Sequence, residues 1–339
     1  VQAQTVVLAV FMGGLALGNR LFGNRADLMA RPVGVYGIIE MGIGIYALLF
    51  PFLFAFADGV FIRLGANLLE SSGKLLILKG VLSVSLLIIP TVLMGGTLPL
   101  VAAWLQKRST DAGKGSAGFY AVNTFGAVAG AGLAGFYLVR QFGMPTTLQI
   151  AGVINLLIGI IAIVLAKREV LNAQETSPLS VQNESATGKP VLNNRTVLCL
   201  LVFFTGAVSL GLEVLASRSL SMIFGASLQA FSVMLMAFIL GVGGGGLWVA
   251  WLRKQTFKES TIAIPLLIAA GLIAVFLLTI EYWAVLYIKI RHSSGATDKY
   301  LYHQVISTVI SLVVIGIPAG LIGSVLPLCM RILSKESPG

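Results

Sequence analysis

Apolar residues in this chain fall in runs of about 20, the length that carries a helix across roughly 30 Å of hydrocarbon. A soluble alternative, one very large core, does not arrange its apolar residues this way. It also needs a charged exterior of roughly a quarter of its residues, whereas only 11% of these 339 are charged and 57% are hydrophobic. The runs predict an all-α, polytopic transmembrane helix bundle of about nine spans. They lie at about 4–22, 33–56, 75–104, 117–139, 145–166, 196–217, 228–251, 261–283 and 304–332. The third contains Pro90, Gly95, Gly96 and Pro99, so it is expected to be strongly tilted or divided into two half-helices.

The formal charge is +10, but the basic residues sit in loops between spans and form no patch with interleaved aromatics, so nucleic acid is not an expected partner. Counted on alternate sides, Lys and Arg divide fifteen to eight. The richer side, including Arg20, Arg25, Arg31, Lys107 and Arg108, is the expected cytoplasmic one. On the other side, Trp283, Tyr287 and Tyr300 alternate with charges as an interfacial belt would. The polar stretch 167–195 reads as a flexible cytoplasmic linker, which leaves the sequons at Asn183 and Asn194 away from a glycosylating compartment. Cys199 and Cys329 are far apart and read as small core residues. His292, His303 and Asp298 match no metal spacing, and GVGGGG at Gly241–Gly246 lacks the strand and acidic residue of a nucleotide loop. No metal or cofactor is expected.

A self-match organises the spans. The pattern P-x4-G-x3-P-L occurs at Pro90, Gly95, Pro99 and Leu100 and again at Pro318, Gly323, Pro327 and Leu328, an offset of 318 − 90 = 228. Phe11, Gly14 and Gly18 match Phe238, Gly241 and Gly245, an offset of 238 − 11 = 227. The first span thus pairs with the seventh and the third with the ninth, as in two parallel repeats related by an axis along the membrane normal. The expected division is a first repeat over 1–166, the linker 167–195 and a second repeat over 196–339. The sixth span would lack a first-half partner because that partner precedes Val1, so the chain is expected to begin inside a longer protein of about twelve helices.

Ionisable side chains inside spans are candidate functional groups. Glu40 lies within GVYGIIEMGIGIYALL, and Glu213 lies in GAVSLGLEVLASRSLS with Arg218 five residues on. A carboxylate facing a cavity could bind a cation or carry a proton; one paired between helices would only fix packing. Tyr120, Asn123 and Thr124 place polar groups near Gly126 and Gly130, a four-residue small-residue spacing that favours close helix packing.

The segments FMGGLALGNRLFGNRADLMARPVGVYGIIEMGIGIYALLFP, IIPTVLMGGTLPLV, GFYAVNTFGAVAGAGLAGFYLV and SLGLEVLASRSLSMIFGASLQAFSVMLMAFILG together resemble the membrane part of fused major facilitator superfamily transporter and spermidine synthase proteins. The resemblance implies a major-facilitator-like fold, multi-pass insertion in a bacterial-type inner membrane, and a transporter-like domain for a polyamine or another small cationic solute. Candidate solute-binding residues are then Glu40, Glu213, Arg218, Tyr120 and Asn123. The soluble aminopropyltransferase-like domain of such proteins has no counterpart in this sequence, so no enzyme activity is expected. The alternative is a non-transporting scaffold that docks other membrane subunits.

Overall fold

The computed structural model describes residues 2–66, 72–107, 112–173, 192–252, 259–293 and 299–329, and among these every regular element is helical. Eleven α-helices follow in order: α1 (Gln2–Ala26), α2 (Pro32–Gly65), α3 (Ser72–Gln106), α4 (Ala112–Leu133), α5 (Val139–Ala173), α6 (Leu192–Phe224), α7 (Leu228–Trp251), α8 (Ala263–Leu278), α9 (Ile280–Ser293), α10 (Lys299–Ser311) and α11 (Ile317–Gly323). Single π-helical turns at Ala134–Leu138 and Leu312–Gly316 join α4 to α5 and α10 to α11. Of the expected linker 167–195, residues 167–173 continue α5 and 192–195 open α6, and 174–191 lie outside the described residues.

Among the described residues, seven helical stretches are long and apolar enough to cross a membrane: Val6–Ala26, Pro32–Gly65, Gly73–Gln106, Val122–Arg168, Val202–Phe224, Leu228–Trp251 and Tyr300–Cys329. The chain is therefore a multi-pass helical membrane protein. Bulky apolar side chains such as Phe52, Phe56, Leu278 and Met222 stand outward, as they would toward lipid.

The expected fourth and fifth spans form a helical run of 47 residues that consists of two helices meeting at Gly143. At 1.5 Å per residue it is about 70 Å long, over twice the hydrocarbon thickness. It is broken in direction at Gly143, whose φ of 77° and ψ of 170° only glycine adopts readily. The Thr147 hydroxyl donates to the Gly143 carbonyl at 2.7 Å. The expected eighth span is bent by 70° between α8 and α9, and the Thr279 hydroxyl at the bend donates to the Val275 carbonyl at 2.6 Å. Conversely, α3 runs unbroken through Pro90 and Pro99. Each proline lacks one N–H, yet the helix continues through both, so the half-helix alternative does not occur there.

By contact the chain forms two compact units: unit 1 is Val1–Ser116 with Gln141–Gln182, and unit 2 is Ala117–Arg140 with Asn183–Gly339. The boundary within the 47-residue stretch falls beside Gly143.

In unit 1, Ala26, Ile39, Ile43, Leu100 and Ala103 form a core shared by α1, α2 and α3. Glycines set the spacing. A Cβ on Gly18 would overlap the Val92 carbonyl, and one on Gly95 would overlap the Leu15 carbonyl, so α1 and α3 touch backbone to backbone. Helix α2 meets α5 in the same manner: Gly37 faces the Gly159 carbonyl and Gly44 the Gly152 carbonyl, each 2.7 Å from where a Cβ would stand. At the end of α3, the Lys107 ammonium donates to the Met29 carbonyl at 2.6 Å, tying down the turn between α1 and α2.

In unit 2, a core of Leu212, Ala216, Leu220 and Phe224 from α6 meets Ile306, Ile310, Val314, Ile315 and Ile322. Helix α7 is capped by Ser227, whose hydroxyl oxygen accepts from the Ala230 N–H at 3.1 Å. It packs on α11 through Gly245 against the Gly320 carbonyl and Gly323 against the Val242 carbonyl. These are the α1–α3 contacts displaced by 227 and 228 residues: 18 + 227 = 245, 92 + 228 = 320, 95 + 228 = 323 and 15 + 227 = 242.

Candidate functional site

Glu40 belongs to unit 1 and is half-buried. At 100° per residue it lies on α2 between two packed faces. One is the Gly37–Gly44 seam on α5, and the other carries Ile39 and Ile43, which pack toward Leu100 and Ala103. Tyr36, one turn earlier, shares a side-chain hydrogen bond with Glu40. Its ring packs against both apolar clusters of unit 1. The carboxyl group is thus held on the inner side of α2 by a donor from its own helix, not turned out among the exposed Phe52 and Phe56.

Glu213 belongs to unit 2. It shares a face of α6 with Ala216, Ser217 and Leu220, all buried. Its Oε2 is buried with no hydrogen-bond partner, so at least one carboxyl oxygen faces the interior of the half-buried residue. Arg218 is exposed, and it does not reach that oxygen.

The remaining candidates separate. Asn123 is exposed and the Tyr120 side chain lies outside the described ones. A Cβ on Gly126 or Gly130 would meet nothing within 4 Å, so the predicted packing face of α4 is not where α4 packs. Its neighbour is α7, reached through Thr124 against Gly243, Gly132 against Met236 and Gly135 against Ser232. The physical reason is rotation: Thr124 and Gly135 lie on a face turned well away from Gly126 and Gly130.

The expected interfacial belt also divides. Tyr300 stacks under Arg140, with the guanidinium carbon 5.4 Å from the ring centroid, whereas Tyr287 is only 3% exposed. The Tyr287 hydroxyl lies 2.8 Å from Nδ1 of His303, and that nitrogen lies 3.0 Å from the Ser307 hydroxyl. Sequence reading missed this cluster; the four-residue spacing of His303, Ser307 and Ser311 in an apolar span was the available signal. It missed the α2–α5 seam too, although Gly37 and Gly44 are seven apart, as are Gly152 and Gly159. His292 is exposed, Asp298 lies outside the described residues, and among the described residues no three His, Cys, Asp or Glu side chains gather as a metal site would require.

No protein family, curated protein or solved structure matches the chain.

Proposed function

We propose that this chain is a transporter-like membrane domain for a small cationic solute of the polyamine class, akin to the membrane part of the fused transporter and spermidine synthase proteins. The observation that carries the reading is the pair of inward carboxyl groups, Glu40 in unit 1 and Glu213 in unit 2, neither spent on an ion pair. Carboxyl groups are costly at that depth and are kept there for ions, protons or polar solutes. In this reading the chain crosses an inner membrane nine times, with the Gly143 break separating two crossings and the α8–α9 pair forming one. The two helix pairs with matching glycine contacts then belong to two parallel, major-facilitator-like repeats, with 167–195 in the cytoplasm.

The test is uptake of labelled spermidine by proteoliposomes containing the purified chain. Glu40→Gln and Glu213→Gln should each reduce uptake by about tenfold or more, as loss of a charge-paired contact of about 1.4 kcal/mol or more would. Uptake equal to that of protein-free vesicles would sink the proposal.

The scaffold reading has its own support in Gly126 and Gly130, whose backbone is open on an outward face of α4. A helix of another membrane subunit could approach there closely. Under that reading Gly126→Ile leaves the chain folded but reduces the size of its particle on native electrophoresis.

A further inference from the structure

Polar groups inside a membrane protein are satisfied by protein or by water, and an orphan asks for a physical reason. Among the described residues two buried side-chain polar atoms have no hydrogen-bond partner, Glu213 Oε2 and Ser311 Oγ. Both belong to unit 2. Leu212 and Ala216 flank the first, Ile310 and Ile315 flank the second, and all four join one apolar cluster.

Ser311 has no solvent exposure, and its lack of a partner is unusual for a helical hydroxyl. Ser232, Thr308 and Thr91 each donate to the carbonyl four residues back, at 2.9, 2.7 and 2.6 Å, and Ser311 does not. It also ends a row. His303, Ser307 and Ser311 follow one another at four-residue spacing on one face of α10, so consecutive groups stand about 6 Å apart along the axis. The row is already bonded at its other end, from Ser307 to His303 to Tyr287.

We propose that unit 2 contains an internal hydrated proton site, in which the Glu213 carboxyl exchanges a proton through water with Ser311, and Ser307 and His303 of α10 carry it to Tyr287 of α9. Every member of the row can both donate and accept. Each hydroxyl takes a proton on an oxygen lone pair as it releases its own. The imidazole takes one from Ser307 at Nδ1 and releases one from Nε2, which lies 3.0 Å from the Tyr287 hydroxyl. The net change is one proton passed from the Glu213 carboxylic acid, which becomes carboxylate, to water beyond the Tyr287 hydroxyl, which becomes hydronium, with further water bridging the gaps the side chains do not close.

No other described titratable group enters this interior. Helices α7, α8 and α11 and the turn Leu312–Gly316 contain none. Glu281, Tyr282, Lys289 and His292 of α9 are exposed, as are Arg218 of α6 and Tyr300 of α10. The Tyr302 hydroxyl donates to the Ile290 carbonyl, and Cys329 packs in a separate cluster with Val249 and Ile262.

The site shares Glu213 with the proposed transport reading but does not require a solute, so it is tested without one. The experiment is infrared difference spectroscopy of the purified chain in lipid across a pH step, in H2O and in D2O. A carboxylic acid C=O band should appear, vanish in Glu213→Gln, persist in Glu40→Gln, and shift at once in D2O. Ser311→Ala should move its frequency, and His303→Gln should slow its exchange. Absence of a Glu213 band at every pH, or a band that D2O leaves unmoved for hours, overturns the site; the latter needs no variant and so is independent of misfolding. A band indifferent to both Ser311→Ala and His303→Gln overturns the row. Failed uptake beside a rapidly exchanging band would remove the solute reading and leave this one standing.

Discussion

The α1–α3 pair of unit 1 and the α7–α11 pair of unit 2 use the same glycines to reach the same carbonyls, but they fill the intervening space differently. Opposite Gly14 stands the Thr91 side chain, and no other group comes within 3 Å of a Cβ built there. At the matching position, a Cβ on Gly241 would overlap the Gly316 carbonyl as well as approach Ala319 at 3.0 Å. The first contact is therefore made by a side chain at this level and the second by backbone. The prolines differ likewise. In α3 the carbonyl that Pro90 cannot satisfy is that of Leu86, four residues back, and the Tyr46 hydroxyl of α2 donates to it at 2.7 Å. Before Pro318 the helix instead widens into a π turn, with the Ile317 N–H donating to the Leu312 carbonyl five residues back. One pair mends its ladder with a neighbour's side chain and the other by respacing its own backbone.

The strongest expected effects are at the shared contacts. Gly18→Ala and Gly245→Ala each push a Cβ into a carbonyl that belongs to a packed helix and cannot rotate away. Each should cost about 2–3 kcal/mol, even after the ~1 kcal/mol that alanine gains over glycine in a helix. SDS-induced unfolding of the purified variants measures both. Similar losses would support structural equivalence of the pairs. Tolerance of one beside collapse of the other would break it.

Tyr46→Phe comes next, because it removes the hydroxyl that donates to a carbonyl already lacking its helical partner. The expected loss is about 1–2 kcal/mol. Pro90→Ala restores an N–H to that carbonyl, so in its background Tyr46→Phe should cost less than about 0.5 kcal/mol. An undiminished Tyr46→Phe cost in the Pro90→Ala protein would show that the tyrosine acts by packing alone.

The spans were legible in the sequence because a bilayer demands long apolar runs, and α7 begins and ends at the expected residues 228 and 251. The glycines of the self-match were legible as close-approach positions, since Gly18, Gly95, Gly245 and Gly323 all meet backbone. Rotation of a helix about its own axis was not. Gly126 and Gly130 have a packing spacing but face open space, because small residues stand on more than one side of α4 and Thr124, on the opposite side, is the one that meets α7. The place of the Gly143 break was legible, since it falls in the gap between the expected spans 117–139 and 145–166, although its backbone geometry was not. Of the site, the two carboxyl groups were visible as charges in apolar runs. The Tyr287–His303–Ser307 cluster needs α9 and α10 brought together across a loop, and no local pattern encodes that meeting.

The smallest effect distinguishes side-chain from backbone contact. Thr91→Ala deletes a methyl and a hydroxyl that bonds only within its own helix, at Leu87 and Ile88. The lost methyl contact, about 1 kcal/mol, is partly offset because such back-bonding slightly disfavours a helix, so the net change should stay below about 1 kcal/mol. Its use is as a background. Gly14→Ala alone forces a Cβ onto the Thr91 hydroxyl, but with Thr91→Ala the obstructing atom is gone, and the pair should recover about 1 kcal/mol relative to the sum of the single variants. Gly241→Ala has no such rescue: Ala319→Gly opens the 3.0 Å contact but leaves the Gly316 carbonyl in place. Unfolding measurements on these two cycles should show coupling in the first and almost none in the second. Equal coupling in both would mean that α7 and α11 can slide apart as α1 and α3 cannot, reversing which pair is held by its backbone.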